Sequence, residues 1–122
     1  MSGVSWYRWD DMEREALNPR LSRKFVTGKD VMLAQIFYEK DSVVPQHSHH
    51  NEQFTWVLEG ALRFRIGEDR SEVVDVRAGE VIHIPGGVLH EAEALEVTYE
   101  VDIFSPPRQD WIDGTDSYLR DQ

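Results

Sequence analysis

The region between residues 31 and 104 alternates short apolar runs with turn residues, and this pattern predicts β-strands. The clearest run is 61–67, ALRFRIG, in which every second residue is apolar, so one face would be buried and the other charged. Five more runs have the length and composition of strands: 31–39, 54–60, 72–76, 80–85 and 95–104. Short strands, regular turns and almost no helical period favour an antiparallel sandwich or a closed barrel.

The two ends of the chain depart from this strand pattern. Asp10 is a helix-capping residue type, and the residues after it predict a short helix through Ala16 that stops before Pro19. Near the other end, Asp116 is placed to cap one last helical turn that includes Leu119. We therefore expect an all-β domain with short helical segments at its ends.

The length of 122 residues allows one domain with a proper core and is too short for two. The strand pattern divides the chain into an N-terminal extension packed on the barrel, the barrel itself, and a C-terminal tail. The expected boundaries are 1–30, 31–108 and 109–122.

Composition narrows the classes of partner and site. Thirteen basic and 23 acidic residues give a net charge of −10, which argues against nucleic acid and anionic membrane, since both need a positive surface. No apolar stretch approaches the ~20 residues of a membrane span, and no secretory signal is visible, so we expect a cytoplasmic protein. The chain has no cysteine, so any metal must be held by nitrogen and oxygen ligands.

Histidines are concentrated in one short segment, which holds three of the five at positions 47, 49 and 50. In an extended chain, residues two apart point the same way, so His47 and His49 share a side and His50 faces away. Gln53 keeps the parity of the first two. Two imidazoles and one amide oxygen would then converge as a mid-transition metal requires, whereas the alternative is a polar loop that happens to be rich in histidine.

A fourth ligand has two candidates, His83 and His90. His83 lies between isoleucines in a predicted strand, where a histidine is more often structural. His90 follows the turn Pro85-Gly86-Gly87, which can bring the chain back over the barrel mouth. This placement favours His90 as the ligand.

Two segments carry a family resemblance. The stretch PQHSHHNEQFTWVLEG resembles the first cupin motif, and GEVIHIPGGVLH resembles the second, in the same order and with a short segment between them. The resemblance implies a single-domain cupin, a jelly-roll β-barrel of six to eight strands with one divalent transition metal ion inside. Nickel, zinc, iron, manganese and cobalt are not distinguished by such a ligand set. The implied ligands are His47, His49, Gln53 and His90.

The chain departs from the usual motif at Gln53, where cupins generally have a glutamate ligand. Glu52 is the tempting substitute, but its parity points it away from the two histidines. A neutral glutamine leaves the charge of the ion uncompensated, which strengthens its action as a Lewis acid and disfavours higher oxidation states. The ligand set therefore favours isomerisation, hydration or simple binding over oxygen chemistry.

The last predicted strand has an acidic face and an apolar face, and the pattern alone does not decide which is buried. The two prolines that follow it fix the backbone as it leaves the barrel and give Arg108 a defined direction over the mouth. This favours the acidic face, with Asp102 and Phe104, as the lining of a pocket for an anionic substrate. The segment also resembles small cupins that include the pectin-degradation enzyme which linearises unsaturated galacturonate. That resemblance implies catalytic roles for Asp102, Phe104 and Arg108.

Three functions fit these residues. The first is a metal-dependent enzyme that isomerises or opens a small, carboxylated, sugar-acid-like substrate. The second is a non-catalytic module that binds a small ligand, and the third is a metal-dependent dioxygenase. The family resemblance also implies a homodimer, with a contact through an exposed first strand containing Val31, Leu33 and Phe37. We expect the tryptophans at 6, 9 and 56 to seal a barrel end or a subunit contact rather than stack on a sugar.

Overall fold

The computed structural model describes residues 2–120 and consists of two antiparallel β-sheets that face each other. Two short helices, α1 (Gln109–Asp113) and α2 (Ser117–Arg120), follow the last strand, and a 3-10 helix spans Trp9–Asp11. The described residues form ten strands: β1 (Glu15–Asn18), β2 (Leu21–Thr27), β3 (Met32–Tyr38), β4 (Val43–His47), β5 (Glu52–Glu59), β6 (Ala61–Ile66), β7 (Glu72–Arg77), β8 (Val81–Ile84), β9 (His90–Ala94) and β10 (Thr98–Ser105).

The larger sheet has the strand order β1-β2-β3-β10-β5-β8, and the smaller sheet has the order β4-β9-β6-β7. Every described strand pair is antiparallel. The predicted all-β jelly-roll barrel with short terminal helical segments is confirmed. No helix within residues 2–120 is long and apolar enough to cross a membrane.

All six predicted strands are present, with boundaries that move by no more than three residues. The alternation of apolar and charged residues correctly predicted the buried face of β6, on which Leu62 and Phe64 lie. The pattern missed β1, β2, β4 and β9, which are short or carry polar residues on their inward face.

The predicted helix after Asp10 is wrong. Only the 3-10 helix Trp9–Asp11 forms there, without a side-chain cap, and Ala16 lies in β1 opposite Ser22 of β2. Pairing with the edge of the larger sheet satisfies these backbone groups and overrides the weak helical signal. The last predicted turn does form, as α2.

Residues 15–27 add β1 and β2 to one edge of the larger sheet, and β2 pairs with β3 along its whole length. They are therefore strands of this sheet rather than a separate layer resting on it. The boundaries at residues 31 and 108 stay a prediction as domain limits.

The core lies between the sheets and is apolar at one end and polar at the other. Inward-facing residues from both sheets form the apolar cluster, which also includes Trp111 and Leu119 from the C-terminal segment. The strand members of this cluster include Met32, Ala34, Ile36, Val57, Leu62, Phe64, Ile84 and Ala92. The C-terminal helices thus extend the core beyond the strands.

A buried ion-pair network attaches the C-terminal segment to the first two strands. Arg23 of β2, whose side chain is 0% exposed, places Nη1 2.6 Å from Oδ2 of the equally buried Asp116. Arg120 donates from Nε to Asp116 Oδ1 at 2.8 Å, and both arginines also pair with Glu15. Burial alone would raise the pKa of Asp116, but Arg120 and Arg23 outweigh it and the pKa is lowered.

We predict that Asp116→Asn lowers the free energy of unfolding at pH 7 by about 3 kcal/mol, because it leaves the buried Arg23 with only the half-exposed Glu15 as a counter-charge. Because the folded-state pKa of Asp116 is lowered, its contribution is present at neutral pH and is lost as the pH falls through that value. The difference from the wild type should therefore narrow below about pH 4. Urea unfolding of both proteins at several pH values measures this difference in the free energy of unfolding. Asp113→Asn, at an exposed aspartate of α1, is the matched control and should change stability little.

Candidate metal centre

The two facing sheets bring the predicted metal ligands to one end of the barrel interior. His47 at the end of β4 and His90 at the start of β9 lie directly opposite each other in the smaller sheet, and their ring centroids are 4.3 Å apart. His49 follows β4 in the connection to β5. Gln53 points inward from β5 of the larger sheet and is 6% exposed. The site therefore draws ligands from both sheets and from the loop that joins them.

The three imidazoles converge closely enough to hold one ion. Their ligating nitrogens all lie within 4.8 Å of one another, and no other group of three or more His, Asp or Glu residues in 2–120 has this property. Three such nitrogens suit a divalent transition metal.

Each of the three rings is oriented by a backbone carbonyl. The Nδ1 atoms of His47, His49 and His90 donate to carbonyl oxygens at 2.7, 3.0 and 2.8 Å, respectively. These acceptors belong to Pro45, Asn51 and Val88. Such bonds select the tautomer with Nε2 unprotonated, which is the usual arrangement around a metal.

One buried atom points to an ion directly. His90 Nε2 is buried and has no hydrogen-bond partner among the described residues. A buried acceptor without a partner is costly, and coordination to a cation would satisfy it. The unpartnered nitrogen of His90 therefore supports a metal site independently of the sequence motifs.

Burial keeps these imidazoles neutral, as ligands must be. It lowers the pKa of His47 to about 3 and that of His49 to about 4, and neighbouring His90 and Arg108 charges act in the same direction. The pKa of His90 is also lowered, first by burial. At pH 7 the lone pairs are therefore available without a proton to displace.

The other histidines lie outside the cluster. His83 is exposed on the outer face of the larger sheet, where it stacks on Phe54 and places Nε2 2.7 Å from Glu52. His50 is exposed. The parity argument that turned Glu52 and His50 away from the interior is thus correct.

The glycine turn of the second motif holds the histidine loop in place. The Gly87 backbone N–H donates to the His49 carbonyl at 2.8 Å. Gly86 packs so closely against the His50 carbonyl that a Cβ atom would collide with it. On the other side, the Asn51 side chain donates to the Pro106 carbonyl at 2.6 Å. These contacts connect both motifs to the proline turn before Arg108.

Asp102, Phe104 and Arg108 are all buried and line one cavity of about 40 Å³ together with His47, Gln53 and His90. The acidic face of β10 therefore points inward, as the proline turn indicated. The ring of Phe104 meets that of His49 edge to face at 5.7 Å. The structure thus brings together all seven predicted site residues, although the roles assigned to them stay predictions.

Arg108 is more constrained than expected, because it lies beneath the C-terminal segment and does not extend freely over the mouth. Its Nε and Nη2 atoms donate to the two carboxylate oxygens of Asp110 at 3.0 and 2.8 Å. Nη2 also donates to the Tyr118 hydroxyl at 2.6 Å. A substrate carboxylate would therefore share this guanidinium with Asp110.

A pair of buried acids continues inward from the cavity. Burial raises the pKa of Glu100 well above its usual range, and the charge of Asp102 adds to this. Burial also raises the pKa of Asp102, against the hydrogen bonds from Glu100 and Thr55 and the charge of Arg108. Tyr38 donates to Glu100 Oε1 at 3.2 Å.

Two cavity residues were missed from the sequence. Thr55 has the inward parity of Gln53 on β5, so strand alternation alone could have identified it. Tyr118 covers the site from α2, and its ring lies 4.7 Å from that of His47. No sequence pattern connects this tail residue to the barrel interior.

Comparison with known proteins agrees with this geometry. The cupin domain family matches residues 35–103. KdgF from a Halomonas species has a TM-score of 0.80 at 25% sequence identity, covering 88% of this chain and 99% of that one. An RmlC-like cupin from Shewanella frigidimarina NCIMB 400 has a TM-score of 0.81 at 23% identity, with coverages of 89% and 96%.

A more distant likeness comes from Bacillus subtilis oxalate decarboxylase, which has Mn(II) centres. Its TM-score is 0.74 at 17% identity, and the match covers 87% of this chain but 31% of that one. None of the curated proteins compared with the chain matches it.

We predict that the purified protein binds one divalent ion per chain and that His90→Ala removes most of this binding, because a buried ligand is lost. Isothermal titration with Zn²⁺ or Ni²⁺ measures the affinity and stoichiometry of binding, and elemental analysis measures the metal content. Saturating metal should also raise the unfolding temperature, since binding to the folded state at 100 times Kd contributes about 2.7 kcal/mol. His83→Ala removes a histidine outside the cluster, so it should retain full stoichiometry. Equal loss in both variants would contradict the assignment.

Proposed function

This chain belongs to the cupin domain family, and we propose that it is a metal-dependent enzyme that isomerises or ring-opens a small carboxylated substrate of the sugar-acid type. The fold and the three-histidine cluster support a metal-binding cupin, with a divalent ion. The observation that carries the finer proposal is that a buried carboxyl group, Asp102, lines the same cavity as the cluster.

Asp102 is the candidate for proton transfer in this cavity. Burial raises its pKa above that of a free aspartate, which suits a group that must both accept and release a proton. Glu100 lies behind it, and burial together with the Asp102 carboxyl raises the Glu100 pKa well above its usual range, which disfavours two negative charges in the pair. The carboxylate would move a proton between an oxygen and a carbon of the substrate.

Phe104 and Arg108 would orient the substrate. Phe104 is 1% exposed and forms a rigid apolar wall between His49 and Trp111. The guanidinium of Arg108 lines the same cavity as Asp102 and would bind the substrate carboxylate. A bound divalent ion would supply Lewis-acid polarisation of a substrate oxygen.

The size of the cavity bears on substrate entry. Its volume of about 40 Å³ is far below the ~300 Å³ at which ligand pockets usually begin. Tyr118 and Leu119 of α2 supply part of its lining. We therefore expect a substrate to enter only when the C-terminal segment shifts away from Arg108.

We predict that metal-loaded protein converts unsaturated galacturonate into its linear form, and that Asp102→Asn reduces kcat by about 100-fold or more with unchanged metal content. NMR of the substrate with protein loaded with each candidate metal measures turnover. Asp113→Asn, at an exposed aspartate outside the cavity, is the matched control.

Each other outcome has a distinct meaning. Saturable binding of the uronate with no product would point to a ligand-binding module. Oxygen uptake with iron and no isomerised product would point to a dioxygenase. Loss of metal in Asp102→Asn would make this residue structural rather than catalytic.

We further propose that two copies pair through the outer face of the larger sheet. The exposed side chains there include Leu33, Phe54, Trp56 and Val81. The strand expected to carry this contact is β3, which lies between β2 and β10 rather than at a sheet edge, so a contact through it would use its outward face, where Leu33 is exposed. With a net charge of −10, copies repel through most of their surface, and an apolar face minimises that cost.

We predict a dimer in sedimentation analysis and a shift to monomer in Phe54→Lys, because a charge would be buried without a partner. Val73→Lys places the same charge at a similarly exposed valine of the smaller sheet and should leave the dimer intact. A wild-type protein that sediments as a monomer would refute the proposed dimer.

A further inference from the structure

We propose that Thr55 is a positioning residue that holds the amide of Gln53 with its oxygen toward the metal cluster. This rests on the metal-binding part of the proposed function and is independent of any substrate. Thr55 is 1% exposed and is not one of the ligands. It lies between the ligand Gln53 and the candidate acid Asp102, in contact with both.

Strand geometry places these three side chains in one row. Gln53 and Thr55 are two apart on β5, so both point into the barrel. Thr55 lies directly opposite Asp102 in the β5–β10 register. The hydroxyl of Thr55 is 2.6 Å from Asp102 Oδ1, and the amide nitrogen of Gln53 is 2.9 Å from the hydroxyl.

The direction of each hydrogen bond follows from the acceptor at the end of the row. A carboxylate oxygen only accepts, so the Thr55 hydroxyl donates its one proton to Asp102. The hydroxyl then has only lone pairs to offer Gln53, which must present its NH₂ group to it. The amide oxygen of Gln53 is thereby turned to the opposite side, toward the histidines.

On that side the amide oxygen meets another lone pair. Gln53 Oε1 is 3.1 Å from His49 Nε2, and the ring proton of His49 is engaged by the Asn51 carbonyl at Nδ1. Two acceptors face each other with no proton assigned between them. A cation bound by both relieves this contact, so the row of hydrogen bonds favours the ion-binding arrangement.

Without the Thr55 hydroxyl, the Gln53 amide is free to rotate by half a turn. The rotated amide would present its NH₂ group to the cluster, where it would repel a cation. The oxygen ligand would then be available for only part of the time. Loss of groups that orient a metal ligand typically weakens affinity 10–100-fold.

The test compares apo-protein variants by titration with Co²⁺, following both the dissociation constant and the visible absorption of the bound ion. Thr55→Val should weaken Co²⁺ binding 10–100-fold and change the absorption bands, which report coordination geometry. Thr55→Ser keeps the hydroxyl and should bind within about threefold of wild type. Thr98→Val is the matched control, since Thr98 is also buried and its hydroxyl bonds backbone groups of Ala61 outside the cavity.

A second background isolates the orientation effect. In Gln53→Glu the ligand is a carboxylate with two equivalent oxygens, so rotation of the side chain still leaves an oxygen facing the metal cluster. Thr55→Val in this background should therefore cost less than threefold in Co²⁺ affinity. Should Thr55→Val fail to fold, Thr55→Ala replaces it in both backgrounds.

Wild-type affinity and absorption in Thr55→Val would overturn the proposal. The same loss of affinity in both backgrounds would also overturn it, because Thr55 would then act by some route other than amide orientation. Turnover plays no part in these measurements. A protein that shows the Thr55 effect but converts no uronate would refute the enzymatic proposal alone.

Discussion

Two antiparallel sheets that face each other send every second side chain into a shared interior, and polar groups placed there must find partners away from water. At one end of this barrel the inward positions carry imidazoles, an amide, a threonine and two acids. Backbone carbonyls satisfy one nitrogen of each clustered histidine, and the amide and hydroxyl connect that cluster to Asp102. His90 Nε2 remains without a partner within the described chain, which is the feature that a bound cation would resolve.

The need to partner buried polar groups also explains why both ends of the chain pack near the site. A polar barrel end needs a cover, and the C-terminal segment supplies one through Tyr118, which lies against His47 and bonds Arg108. That cover is held by the buried pair of Arg23 and Asp116, so a strand near the start of the chain and a turn near its end share one interaction. The ion-pair network therefore stabilises the segment that covers the site.

The acid pair shows how burial assigns different tasks to similar groups. Burial raises the pKa of both acids, but Glu100 is enclosed beside Tyr38, whereas hydrogen bonds from Glu100 and Thr55 and the charge of Arg108 favour the ionised form of Asp102. Asp102 and the lone pairs of the cluster line the same cavity, so both would attract a bound cation. The chain is similar in fold to KdgF and to oxalate decarboxylase, and the chemistry of its interior depends on these side chains rather than on the fold.

Much of this was determined by the sequence, because alternation with a period of two is a local property. It predicted six strands, the inward parity of His47, His49 and Gln53, and the outward parity of Glu52 and His50. Spacing around a proline-glycine turn was enough to select His90 over His83. The local pattern could not predict the strand at Ala16. The helical signal of that segment is outweighed only by pairing with the edge of β2, which is a tertiary contact. Nor could the local pattern reveal that Asp110 and Tyr118 engage Arg108, or that Thr55 faces Asp102, because those contacts arise from register between strands and from the packing of a distant tail.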